Sequence, residues 1–184
     1  MRIVISAFLG LSLAACSAAA PDRFLIEPVT TGQTVKTSAG TISVMTVNLP
    51  SYAKETGIYV QNQTSAIVAI PKADWADDTE RAMRLHLVRS LADMTGADVA
   101  SDPWPLGGVP EAEVRVDVEQ MYVDKSGIMR LSGQFSIRRD RAESRNRIRQ
   151  FDIETRAAAQ TPAAIVDAHG KAWQQLADAI AKSL

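Results

Sequence analysis

Between Glu113 and Glu154 the hydrophobic period of this chain is two, in three separate runs, and that alternation restricts the fold more than any other feature. Val114, Val116 and Val118 alternate with Glu113, Arg115, Asp117 and Glu119. Met129, Leu131, Phe135 and Ile137 alternate with Arg130, Ser132, Gln134 and Arg138, and Phe151 and Ile153 with Gln150, Asp152 and Glu154. Successive side chains of a strand point to opposite faces, so each run has one apolar and one charged face. Three such runs in succession predict an antiparallel meander covered on one side only. Asp124-Lys125-Ser126-Gly127 supplies the first turn, because Asp bonds its own backbone and Gly accepts a positive φ.

Two segments of helical period flank the meander. The first is predicted to start near Asp74 as N-cap, with Asp77, Asp78 and Glu80 at the positive end of the helix dipole. Trp75, Thr79, Ala82, Met83, Leu87, Leu91 and Met94 recur at helical spacing, and Gly96 is the stop. The second starts at Thr161-Pro162, a cap followed by proline in the first turn. Ile165, His169, Trp173, Leu176 and Ile180 then form one stripe, and Gly170 within it implies close packing at that point. Further strand candidates precede the first helix: Phe24–Ile26, Thr41–Leu49, Ile58–Gln61 and Ala66–Ile70. The order of several strands, helix, three strands, helix predicts a single α+β domain, a mixed or antiparallel sheet with two helices packed on one face.

At the N-terminus, Arg2, the apolar stretch Ile3–Leu13 and the small residues Ala14 and Ala15 have the layout of a secretory signal peptide. The run Leu13-Ala14-Ala15-Cys16 resembles a lipobox, in which the cysteine thiol takes a diacylglycerol and the chain is cut just before it. That divides the chain into a signal peptide (1–15), a lipidated tether (16–22) and a domain (23–184). The alternative is a plain signal peptide with an incidental cysteine. Acylation also removes the liability of an unpaired thiol in an oxidising compartment, since Cys16 is the sole cysteine. Each buried methylene contributes about 0.8 kcal/mol, so two or three acyl chains anchor stably where one holds only marginally. Ser17 rather than Asp follows the cysteine, which in Gram-negative lipoproteins favours the outer membrane. With 20 Lys plus Arg against 21 Asp plus Glu, the formal net charge of −1 argues against a nucleic-acid partner.

No catalytic constellation is evident. His86 and His169 lie on or beside apolar stripes, without metal-ligand spacing, and read as core or boundary residues. Ser65, Ser132 and Ser136 lie in strand patterns, and Gly107-Gly108 is a loop pair without a phosphate-binding pattern. No metal or diffusible cofactor is expected; the covalent acyl chains at Cys16 are the only added group. Trp104 lies between Pro103 and Pro105 on a loop, where an exposed aromatic favours a partner contact. Arg138, Arg139, Arg141, Arg145, Arg147 and Arg149 crowd one hairpin, a solvated turn or an electrostatic docking site for anionic head groups or an acidic partner. On the charged sheet face, acids on the first and third strands flank Arg130 and Arg138 on the second, and opposite charges on neighbouring strands stabilise a sheet by roughly 0.2–1 kcal/mol per pair.

Val47-Asn48-Leu49-Pro50-Ser51-Tyr52, then Gly57-Ile58-Tyr59-Val60, then Asp74-Trp75-Ala76-Asp77-Asp78 leading into a Leu-rich helix, resembles the PqiC-like, ABC-type transport auxiliary lipoproteins. The likeness covers essentially the whole mature chain. It departs at Phe24-Leu25-Ile26, where that family commonly begins Tyr-Tyr-x-Leu, and at Ala53, where a Leu is common. The resemblance implies a non-enzymatic, outer-membrane lipoprotein on the periplasmic side, a homo-oligomer acting beside an MCE-domain protein and an ABC transporter in lipid transport between membranes. It implies a docking role for the transport conduit, with Trp104, Arg139, Arg141 and Arg145 as candidate contacts. An activator or scaffold of a cell-wall enzyme is the alternative from another class. A lipid carrier needs a large hollow between sheet and helices, against which Ala82, Ala92, Ala172 and Ala177 argue.

Overall fold

The computed structural model describes residues 20–27, 32, 34–140 and 146–184. Within them the chain forms β1 (Asp22–Phe24), β2 (Thr41–Asn48), α1 (Ser51–Lys54), β3 (Gly57–Gln61), β4 (Ile67–Trp75), α2 (Thr79–Thr95), β5 (Asp98–Ser101), β6 (Ala112–Val123), β7 (Ile128–Arg139), β8 (Arg147–Arg156) and α3 (Pro162–Ala181). The architecture is the expected α+β domain. The meander is present, with β6, β7 and β8 pairing antiparallel in sequence order. Its first turn is the expected one: Gly127 has φ 82° and donates to the Asp124 carbonyl, while Asp124 Oδ1 accepts from the Ser126 and Ile128 amides.

The rest of the sheet is mixed. Strand β6 uses its second edge twice: its first half pairs parallel with β2, and its last residue, Val123, pairs parallel with Val60 of β3. From β2 the sheet continues to β5, and from β3 through antiparallel β4 to parallel β1. Helix α2 lies against β2 and β5, α3 against β7 and β8, and the two helices against each other. The space between sheet and helices is filled by side chains that are fully buried, among them Trp173, Leu176, Ile180, Met83, Leu87 and Leu131. Ser90 Oγ donates to Gln174 Oε1 at 2.8 Å across the buried helix interface, and Thr155 Oγ1 donates to the Ala168 carbonyl at 2.7 Å, tying α3 to β8.

The structure corrects three local expectations and adds a bulge just past the alternation expected over 113–119. Asp74 and Trp75 belong to β4, and Asp78 is the true N-cap of α2, accepting the Arg81 amide at 2.8 Å. Strand pairing to β1 and β3 overrides the helical spacing of Trp75, which is still buried. The strand expected over Phe24–Ile26 spans Asp22–Phe24. Strand β6 does not alternate to its end: Glu119 is an extra residue in a bulge between Val118 and Gln120, after which Met121 and Val123 are the buried positions. Finally, Gly170 is buried but not tightly enclosed, for a Cβ there would sit 3.6 Å from the Glu27 carbonyl oxygen, ordinary contact.

Candidate functional site

Both histidines are core residues. His86 on α2 is 2% exposed and burial pushes it down to about 4. His169 on α3 is held at about 4 by burial, opposed by its bond to Ile165. Its Nδ1 lies 2.9 Å from the Ile165 carbonyl, which fixes the proton on that nitrogen, and its ring meets Trp75 edge-on with centroids 5.3 Å apart. The two ring nitrogens of His86 have no hydrogen-bond partner. Among the described residues, no three His, Cys, Asp or Glu side chains are grouped to hold a metal ion.

The acidic run before α2 is divided among structural tasks. Asp78 caps the helix, Asp77 pairs with Arg81, and Glu80 accepts the Leu49 amide at 3.1 Å while pairing with Lys54 at 2.9 Å. Glu80 thereby clips the loop into α1 against the start of α2. Helix α1 itself carries Tyr52, whose hydroxyl accepts the Met121 amide at 3.0 Å and whose ring meets Tyr59 edge-on. Met121 follows the β6 bulge, where that strand passes from β2 to β3, so Tyr52 occupies a gap in the ladder that no strand fills. Burial raises the Tyr52 hydroxyl above its usual value, partly offset by the Met121 bond.

The charged sheet face is paired as its pattern predicts. Arg138 grips Glu113 with two bonds, one at 2.9 Å, and Arg130 bridges Asp124 and Glu154. Hydrogen bonding to Arg138 lowers Glu113. Burial raises Asp124, but donors from Ser126, Ile128 and Arg130 outweigh it and hold the carboxyl at about 2. In the arginine hairpin, Arg139 Nη1 donates to Ser38 Oγ at 2.7 Å and Arg147 to the Ser183 carbonyl at 3.3 Å. Arg141 and Arg145 lie outside the described residues, as does Cys16.

Two apolar features remain on the surface. Trp104 is half-buried in the loop from β5 to β6, where Leu106 and Val109 are 53% and 64% exposed. A groove of about 240 Å³ runs between the segment Phe24–Ile26 and α2, floored by Trp75 and His86. A second concavity, of about 300 Å³, opens at the β3–β4 hairpin beside the 124–127 turn and reaches Ile165 at the start of α3. Gly133, with φ 154°, lies opposite Val118 at the β6 bulge, and sequence reasoning missed it and Tyr52 as structural anchors and His86 as the floor of a groove. A glycine inside an alternating strand was the available signal for the bulge; none existed for the other two.

The model of the ABC-type transport auxiliary lipoprotein component matches residues 24–181. The chain belongs to that family. A crystal structure of an uncharacterized protein superposes with a TM-score of 0.72 at 18% identity, covering 90% of this chain and 99% of that one. The crystal structure of protein XCC0632 from Xanthomonas campestris gives a TM-score of 0.63 at 16% identity, covering 89% and 91%. At such identities both attest the fold alone. No curated protein matches in sequence. The family of transport auxiliary lipoproteins is not an enzyme family, and its description ties its members to an ABC transport system and to lipid anchoring. Among the described residues, no helix is long and apolar enough to cross a membrane.

Proposed function

We propose that the protein is the lipoprotein accessory of an ABC transport system that moves lipids between membranes, and that it docks the periplasmic conduit to the outer membrane. The family match over residues 24–181 carries this reading. Signal peptide 1–15 is removed, Cys16 takes the acyl chains, and residues 16–22 tether the domain to the periplasmic face of the outer membrane. The partner is an MCE-domain protein, met by a homo-oligomer of this chain. The loop of Trp104, Leu106 and Val109 suits such a contact, since tryptophan is a common interface anchor and two further apolar side chains of the same loop are exposed. The hairpin bearing Arg139, Arg141 and Arg145 supplies the electrostatic part. No chemistry is required of the protein. Both of its histidines are sequestered in neutral form, and the acids before α2 and on the meander face, Asp78, Asp77, Glu113, Asp124 and Glu154, serve a cap and ion pairs.

Cross-linking and affinity recovery of the full-length protein from membranes, with mass spectrometry of the partners, tests this. Co-recovery of an MCE-domain protein and ABC subunits, reduced in a Trp104→Ala variant, is expected. Recovery of a cell-wall enzyme without them points to an activator or scaffold. An intact mass with residue 16 unmodified, or unchanged membrane association of Cys16→Ser, removes the anchor.

A further inference from the structure

We infer that the groove between Phe24–Ile26 and α2 rests on the lipid bilayer, so that the domain meets the membrane through a face as well as through its tether. This rests on acylation of Cys16. Six large apolar side chains are exposed among the described residues, and two of them, Leu25 at 64% and Leu85 at 39%, stand together on this groove. Single exposed leucines are ordinary, but a joined apolar patch on a groove marks a contact surface.

The length of chain before the domain selects the lipid surface as occupant. Five residues, 17–21, separate Cys16 from Asp22, the first residue of β1, and the six steps of chain between the two reach at most about 20 Å. A domain of this size is roughly 40 Å across. The β1 end is therefore held within reach of the head groups while the far side of the sheet is not. Leu25 lies three residues beyond the start of β1, about 10 Å of chain from the point the tether holds.

The chemistry of the groove fits the interfacial zone better than the hydrocarbon interior. Leu25, Ile26, Ala82 and Leu85 offer apolar surface, and Asp77 and Arg89 stand at the edge. Both edge charges are already paired, Asp77 with Arg81 and Arg89 with Asp93, so the surface brings little net charge against either zwitterionic or anionic head groups. At the floor, the His86 ring is buried and both its nitrogens are closed off from the groove, so the floor offers the lipid surface no polar group.

The acylated full-length protein has no free thiol, so Leu25→Cys and Ile148→Cys each introduce a single labelling site. Ile148 is the control: it is 69% exposed on β8, an edge strand at the other end of the sheet from β1. Each variant, labelled with an environment-sensitive fluorophore, is reconstituted into vesicles of phosphatidylethanolamine and phosphatidylglycerol with and without spin-labelled lipid. The expected result is a blue-shifted probe at residue 25, quenched at least threefold more than the probe at 148. Equal, water-like emission at both sites in protein that floats with the vesicles overturns the inference and leaves the anchor standing. So does a residue-25 probe shielded only when a partner protein is added. Label found at residue 16, or protein that does not float, refutes the acylation and the inference with it.

Discussion

The meander and the N-terminal half of the sheet are made of the same residue types but are held in register by different means. In β7 and β8 the pairing runs unbroken from Ile128–Arg156 to Ile137–Arg147, fixed by alternation and by neighbours in sequence. In the N-terminal half, β2 pairs parallel with strands more than fifty residues away, and its register with β6 shifts between Val44 and Thr46. Parallel pairs need crossovers and cannot take their register from a tight turn. Here the register depends on a few particular atoms, and those atoms cluster where the two halves share β6. The Glu119 bulge, Gly133 and Tyr52 all lie on that seam. The pattern-built half should tolerate surface changes, and the seam should not.

The largest expected effect is at Gly133. Its φ is 154°, and a Cβ there would lie 2.2 Å from the Asp117 carbonyl oxygen and 2.9 Å from Val118 Cα. Both neighbours are backbone, so neither moves without undoing the bulge. Gly133→Ala should cost about 3 kcal/mol or more, strain and overpacking together. Urea denaturation measures it, and a loss below about 0.5 kcal/mol shows the seam to be as forgiving as the strands beside it.

Acid comes next, and it acts on the helix layer rather than the sheet. Both histidines titrate near 4 in the folded domain and near 6.5 when unfolded. Above 6.5 neither state binds the proton. As pH falls from 6.5 toward 4 the unfolded chain binds it and the folded one does not, so stability drains away across that window, by on the order of 2 kcal/mol per histidine. His86→Leu should flatten the decline between pH 7 and 5, and a slope unaltered by it places the loss elsewhere. Asp124 has the opposite displacement. With its carboxyl held at about 2 against 3.8 unfolded, its stabilisation is complete above pH 4 and vanishes only below, which separates the two windows in one acid titration.

Tyr52→Phe probes the seam more gently. Removing the hydroxyl leaves the Met121 amide without its acceptor while the ring contact with Tyr59 remains. A partly buried amide left unmet costs about 1–2 kcal/mol. A loss of that size, with hydrogen exchange quickened at Met121 and Val123 but not along β7–β8, supports the contrast between the halves. Uniform quickening counts against it.

The same contrast decides what the sequence made legible. Alternation over 113–119, 129–138 and 150–154 located the meander and its polar face, and the opposed charges located the pairs Glu113–Arg138 and Arg130–Glu154. Thr161 and Gly96 marked a helix start and a helix end because caps are local chemistry. The strand identity of Trp75 was hidden, since apolar spacing alone fits both a helix turn and a strand end. The fourth-strand ladder and the packing of α2 against β2 and β5 settled it, and both are contacts across long stretches of chain. The groove at His86 was illegible for a related reason. Leu25 and Leu85 are sixty residues apart, and only the parallel pairing of β1 with β4 brings the N-terminal segment over α2.

Gly170 carries the smallest effect and the opposite sign. In the sequence this glycine suggests a close approach, yet its Cβ position is open to a methyl group, with the Ile26 side chain 3.8 Å away and the Glu27 carbonyl oxygen at 3.6 Å. Its backbone is helical and makes no demand for a positive φ. Alanine there reduces the freedom of the unfolded chain and favours α3, so Gly170→Ala should stabilise by about 0.5–1 kcal/mol. The contact it adds is with the N-terminal segment that walls the groove. Should the variant instead lose stability, Ile26–Glu27 is seated on α3 too firmly to yield a few tenths of an ångström, and the N-terminal segment is part of the rigid core rather than a strip laid over it.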